Sequence, residues 1–287
     1  MGGTYGTVNG FTYGWATPLA GYVMACLGAG LGLRCITRAL AMHPSRRAGW
    51  LALGAAAIGS GIWTMHFIAM MGFTIGGVPV SYDLVTTFAS LLLAVLVVGV
   101  GVLAVGYLGR AVPVLLAGGV VMGLGIAGMH YLGMRGMRLH AALEYSTPTV
   151  ALAVGVAVVA ATVALWCAVT IRGLYGGLVA SLILGLAMTC MHYIGMASVT
   201  VHLLNGPREP GGAGPAALAP VLIGPVVFLL LAGVVVALDP PAPDPYVPDR
   251  GDRPDGPTAA RPGRPAPAPA SRAAHASRVR ERPGERH

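Results

Sequence analysis

Seven uninterrupted apolar stretches, near residues 16–36, 49–73, 84–108, 112–134, 149–171, 176–199 and 216–238, constrain this chain more than any other feature. Each is long enough to cross a hydrocarbon core ~30 Å thick, which takes about 20 helical residues. Their hydrophobicity is continuous rather than alternating, so a lipid-spanning barrel is excluded. Only 10% of the residues are charged, against roughly 25% in soluble domains. The pattern specifies an all-α integral membrane protein with seven transmembrane helices.

The charges set an expected orientation. All 18 basic residues are arginine, and Arg34, Arg38, Arg46 and Arg47 crowd the first connection. The positive-inside rule places that connection in the cytoplasm. Alternation then puts the N-terminus outside, Arg110 and Arg172 inside, and Arg135, Arg138 and Arg208 in outer connections. Residues 239–287 follow on the cytoplasmic side, and their Pro/Ala/Arg-rich composition predicts a disordered tail. No Lys or Arg precedes Arg34, so the first apolar stretch is expected to be a retained helix rather than a signal peptide. A net charge of +8 spread this way fits loops facing anionic lipid and argues against nucleic acid as a partner.

Within the apolar frame one hexapeptide recurs: Met65-His66-Phe67-Ile68-Ala69-Met70, Met129-His130-Tyr131-Leu132-Gly133-Met134 and Met191-His192-Tyr193-Ile194-Gly195-Met196. Spacings of 64 and 62 residues between the histidines make it an internal repeat. Each copy sits near the C-terminal end of the second, fourth or sixth span. The chain is therefore three parallel two-helix repeats, about residues 16–73, 84–134 and 149–199, with a seventh helix outside them. At 1.5 Å per residue the three imidazoles are expected roughly 10 Å beneath the outer boundary, able to converge on one axis. Gly28-Ala29-Gly30-Leu31-Gly32 and Gly119-Val120-Val121-Met122-Gly123 offer small-residue faces for close helix packing.

A histidine inside a membrane marks function by default. On a helix, Met70, Met134 and Met196 share a face with their histidines, whereas Met65, Met129 and Met191 lie about 100° round. Imidazole and thioether together suit copper, Cu(I) above all; hard cations want oxygen ligands, and the spans carry no Asp or Glu. Met188 lies four residues before His192 and Cys190 two before it, which makes both accessory candidates. His140 and His202 each follow a motif histidine by ten residues and are candidates for an access site at the surface. The other cysteines, Cys26, Cys35 and Cys167, read as small apolar packing residues with no disulfide framework.

The three hexapeptides and their two-helix spacing resemble the MHYT family of bacterial membrane sensors, over about residues 15–238. Phe67 stands where that motif has Tyr, and Ile68, Leu132 and Ile194 where it has Thr. The resemblance implies a sensor in the bacterial plasma membrane that holds copper and through it meets a diatomic gas or redox signal. It implies as ligands Met65, His66, Met70, Met129, His130, Met134, Met191, His192 and Met196. A cytoplasmic signalling partner in trans would read the state of the helices. Two alternatives stand beside it: a copper transporter or channel with the Met/His cluster as filter, and haem held by a histidine pair. No nucleophile–base pair, phosphate loop or dinucleotide fingerprint points to an enzyme.

Overall fold

The computed structural model describes residues 8–9, 12–75, 80–139, 141–203 and 218–238. Seven helices account for most of them: α1 (Ala16–Leu40), α2 (Arg47–Met71), α3 (Leu84–Leu108), α4 (Val112–Arg135), α5 (Thr147–Thr170), α6 (Leu174–Ala197) and α7 (Leu218–Leu238). All seven are long and apolar enough to cross a membrane. They match the apolar stretches to within a few residues. The largest difference is at the end of α1, which runs one turn past residue 36. Apolarity stops there, but Arg38 lies in the last turn, where a cation favours the helix dipole and reaches toward water. The expected tail after residue 238 lies outside the described residues.

The first six helices form a closed ring in chain order, with α6 packed back against α1. Their outward faces carry large apolar side chains such as Leu92, Leu96, Leu116, Leu182 and Ile183, a surface suited to lipid. Small residues bring neighbours close. Gly28 of α1 lies so near α2 that a Cβ there would stand 2.7 Å from the Ala57 carbonyl oxygen and 2.8 Å from Gly61 Cα. Gly119 and Gly123 of α4 lie equally hard against Thr162 and Val158 of α5. Without a hydrophobic drive between helices in lipid, this backbone proximity is the main source of adhesion. The turns between α3 and α4 and between α5 and α6 need Gly109 and Gly173, at φ of 90° and 85°.

Six short strands clasp the ends of the hairpins: β1 (Val8–Asn9), β2 (Thr74–Ile75), β3 (Ser81–Tyr82), β4 (Met137–Arg138), β5 (Ala141–Tyr145) and β6 (Val199–Leu203). They pair antiparallel as β1–β2, β3–β4 and β5–β6. In each pair the chain entering an odd-numbered helix is tied to the chain leaving the next even-numbered one. The clasp is repeated in the backbone: Thr12, Asp83 and Ser146 donate N–H groups to the carbonyls of Gly72, Gly136 and Ser198, at 3.1, 2.9 and 2.8 Å. Those acceptors each follow a motif histidine by six residues. Asp83 also caps α3, accepting from the Thr86 amide at 3.2 Å and from its hydroxyl, and lies 3.5 Å from the Arg138 guanidinium. These bonds to Thr86, with Arg138 behind them, hold the Asp83 carboxyl below its usual range.

The seventh helix breaks the threefold pattern. It packs against α2 and α1, with Leu229, Ala232 and Val236 set against Leu31, Cys35 and Ala57. So sheathed, α2 is 78% buried over its span, against 44% for α4 and 39% for α6. Trp63 fixes its other flank, donating to the Thr87 carbonyl at 3.2 Å and the Ser90 hydroxyl at 2.9 Å on α3.

Gly28→Val should lower stability by about 1–3 kcal/mol by driving α1 from α2. Gly155→Ala, where a Cβ meets nothing within 4 Å, should be neutral or slightly stabilising in the same thermal melt. Asp83→Ala should lower the melting temperature at pH 7. Because the folded carboxyl has a depressed pKa, its contribution exists above the unfolded value and disappears as pH falls through the folded one. The two melting curves should therefore converge in acid.

Candidate metal centre

His66, His130 and His192 each stand five residues before the end of their helix, α2, α4 and α6. The equal offset puts all three about 7–8 Å inside the strand-bearing end of the ring. Each is 1% exposed. Their Nδ1 atoms meet at one point: His66 to His192 is 3.0 Å, His130 to His66 is 3.2 Å and His192 to His130 is 3.3 Å. Ring centroids lie 4.9, 5.0 and 5.1 Å apart at interplanar angles of 77°, 79° and 84°, a three-bladed arrangement close to threefold symmetry.

Glycine makes room for it. A Cβ on Gly133 of α4 would fall on His66 Nε2, and one on Gly195 of α6 would fall on His130 Nε2. These two rings thus lie over the small residue three places after the histidine of the next even-numbered helix. The equivalent residue in the first hairpin is Ala69, also buried. The aromatic after each histidine stands edge-on to it, with centroids 4.7 Å apart for Phe67, 4.9 Å for Tyr131 and 5.0 Å for Tyr193. Beneath the clasp, the Tyr82 hydroxyl donates to the Met70 carbonyl at 3.3 Å, and its burial pushes the phenol pKa up.

Hydrogen bonding does not account for this cluster. A neutral imidazole carries one N–H, and a nitrogen that holds the proton has no lone pair in the ring plane to accept with. Three Nδ1 atoms in mutual contact can therefore make at most two hydrogen bonds. Nor are the far sides of the rings compensated, because His66 Nε2 and His130 Nε2 are buried without a hydrogen-bond partner. A cation among the three nitrogens removes the conflict. Metal–nitrogen bonds of about 2.0–2.1 Å at a tetrahedral centre separate ligand nitrogens by roughly 3.3–3.4 Å. The observed 3.0–3.3 Å falls within a few tenths of that. The three-histidine group fits a metal ion, and among the described residues it is the group of His, Cys, Asp and Glu side chains able to hold one.

The other candidates are placed as follows. Met65, Met70, Met129, Met134 and Met191 are fully buried in the main core, and Met196 is half-buried against it. Met188 is buried one turn before His192. Cys190 is exposed on the outer face of α6, and none of the four cysteines forms a disulfide. His202 pairs with Glu144 at 3.1 Å across β5–β6, while His140 lies outside the described residues. Sequence reasoning did not single out Gly133 and Gly195, although each sits at the fifth position of its hexapeptide, a small residue in every copy.

Two consecutive segments, residues 59–118 and 123–181, match the family described as "MHYT: Bacterial signalling protein N terminal repeat". The bifunctional diguanylate cyclase/cyclic di-GMP phosphodiesterase MucR of Pseudomonas aeruginosa is 36% identical over 197 residues, 66% of this chain and 28% of that protein. The cyclic di-GMP phosphodiesterase NbdA of the same organism is 36% identical over 212 residues, 68% of this chain and 25% of that protein. The signaling protein YkoW of Bacillus subtilis is 29% identical over 163 residues, 53% of this chain and 20% of that protein. The chain thus spans about a quarter of the curated relatives it matches. No solved structure matches it.

Gly195→Ala should displace the His130 ring and lower stability by about 1–3 kcal/mol. Gly128→Ala, two residues before His130 on the exposed side of α4 and with its nearest contact at 3.9 Å, should melt as the parent does.

Proposed function

Since the chain belongs to the MHYT family of bacterial signalling proteins, we propose that its seven-helix membrane domain is a sensor built on a copper ion held by His66, His130 and His192. The single observation that carries the reading is the convergence of three buried Nδ1 atoms within 3.0–3.3 Å. Imidazole suits copper and zinc alike. The choice of copper is supported by the thioethers of Met65, Met70, Met129, Met134, Met191 and Met196, which make the surroundings of the site soft. Three protein nitrogens leave a coordination position free, and a bound copper ion would supply there the affinity for a diatomic gas or the electron of a redox signal.

The protein's own residues do the rest. Gly133 and Gly195 admit the rings, the edge-on aromatics hold their planes, and the strand clasps keep bulk water from the ion. The positive-inside rule turns this end outward in the bacterial plasma membrane, with residue 238 leading to the cytoplasm. Occupancy that alters the spacing of the three imidazoles alters the packing of α2, α4 and α6 together, provided the ligand has unequal affinity for the two states. A cytoplasmic signalling partner, in trans or fused as in the cyclic di-GMP enzymes of similar sequence, then reads the helix ends. The transporter reading is less well supported, since below the histidines Ile62, Ile126, Ile58 and Leu184 outnumber the two thioethers of Met188 and Met122, too few for a continuous chain of ligands.

Protein purified after growth with copper should carry one ion per chain. The triple His66/His130/His192→Ala variant should lose it at least tenfold by elemental analysis, and equal copper in both would remove the metal. Met65/Met129/Met191→Leu should keep a metal but shift its preference from copper toward zinc. Metal-dependent uptake into vesicles would favour transport, and a Soret band would favour haem.

A further inference from the structure

Directly beneath the imidazoles the ring encloses a cavity of about 30 Å³. Its upper wall is Ile62, Ile126 and Met188, the residues four before His66, His130 and His192. Its lower wall is Ile58, Met122 and Leu184, the residues eight before them. Since four helical residues rise about 6 Å, the void lies roughly one to two turns below the three nitrogens, on the same axis. Its sides are formed by Ala25, Ala29 and Leu33 from α1 and Ala164 from α5. The repeat that gathers the histidines therefore also builds the chamber, by placing side chains too short to meet at the centre.

No polar surface lines this chamber. Its volume exceeds the ~10–15 Å³ that one water molecule requires, but a buried water also needs two to four polar partners. None is offered, so the cavity is dry, and a dry apolar void binds small apolar molecules such as xenon. Filling it restores dispersion contacts that the walls otherwise forgo.

We infer that this chamber is a binding site for one small apolar molecule of about diatomic size, held one to two helical turns beneath the imidazoles. As a gas site it rests on the sensor reading above, to which it adds a place where the gas is stored beside the ion. The walls select by size and apolarity. Water and hydrated ions are excluded because nothing there can replace their hydration, whereas oxygen and similar gases, already concentrated in lipid, meet no such cost. Met188 stands out among the three equivalent upper positions, the other two being isoleucines, and sets a polarizable thioether between chamber and cluster.

The test uses the full chain, stripped of metal with a chelator, in lipid nanodiscs, with its methionine methyl groups labelled with carbon-13. Xenon pressure is raised while the methyl resonances are followed. Met122 and Met188 should shift along a saturating curve, while half-buried Met42, in the connection after α1 and remote from the chamber, should shift only in proportion to pressure. Oxygen in place of xenon should broaden the same two signals first. Ala29→Leu and, separately, Ala164→Leu should abolish the saturating component, with circular dichroism reporting that each remains helical. A proportional response at Met122 and Met188 in the parent chain, or saturation that survives both filling variants, would overturn the proposal. Xenon needs no metal, so the result stands apart from the copper test: loss of the metal reading leaves the chamber, and loss of the chamber leaves the metal.

Discussion

Three nitrogen atoms that cannot satisfy one another sit at the head of this fold. Each imidazole brings one N–H and one lone pair in the ring plane, so a triangle of Nδ1 atoms with edges of 3.0–3.3 Å is left short of protons or long on lone pairs. Surface histidines escape such a conflict by turning into water. Here each ring is 1% exposed, and the walls of the ring of helices hold it in place. The glycines beneath the rings, the aromatics beside them and the strand clasps above them all make sense as means of keeping an arrangement that, without an ion, opposes itself.

Much of this was legible in the amino-acid order. Continuous apolar stretches located the spans because lipid allows no other way of satisfying the backbone. Meeting of the three histidines followed from the repeat, since an identical motif at an identical offset from three parallel helix ends arrives at one depth. The clasps were not visible. Val8–Asn9 with Thr74–Ile75 and Ser81–Tyr82 with Met137–Arg138 are pairings of two residues each, too short for alternation to register. The carbonyls of Gly72, Gly136 and Ser198 belong to the backbone and leave no trace in side-chain pattern. Gly133 and Gly195 read as generic packing residues until a neighbouring ring was seen to occupy the space a Cβ would fill.

Departures from threefold symmetry are equally informative. A threefold sequence repeat predicts three equal hairpins, yet α7 packs on the first, burying α2 while α4 and α6 keep lipid-facing flanks. No property of α7 alone announces this, for its sequence is apolar all round; the choice is made by Leu31, Cys35 and Ala57, which offer it a complementary surface. Similarly, Phe67 replaces a tyrosine in the one hairpin so covered. There Trp63 lies against it, ring centroids 4.6 Å apart and tilted by 46°, and Phe67 is fully buried.

The clasps tie together only one end of each hairpin, the end that holds the histidines. At the opposite end the helices are joined by single connections of three to six residues, Ala41–Arg46 in the first case. Each hairpin, tied at one end by its strands and at the other by the chain itself, therefore moves as a single lever about the histidine-bearing end. Helices of about 24 residues extend roughly 36 Å, and the imidazoles sit about 7–8 Å from the tied end, so the far ends travel about five times as far as the nitrogens do. A half-ångström breath at the triangle becomes a swing of about 2.5 Å on the other side of the bilayer, large enough for a neighbouring protein to feel.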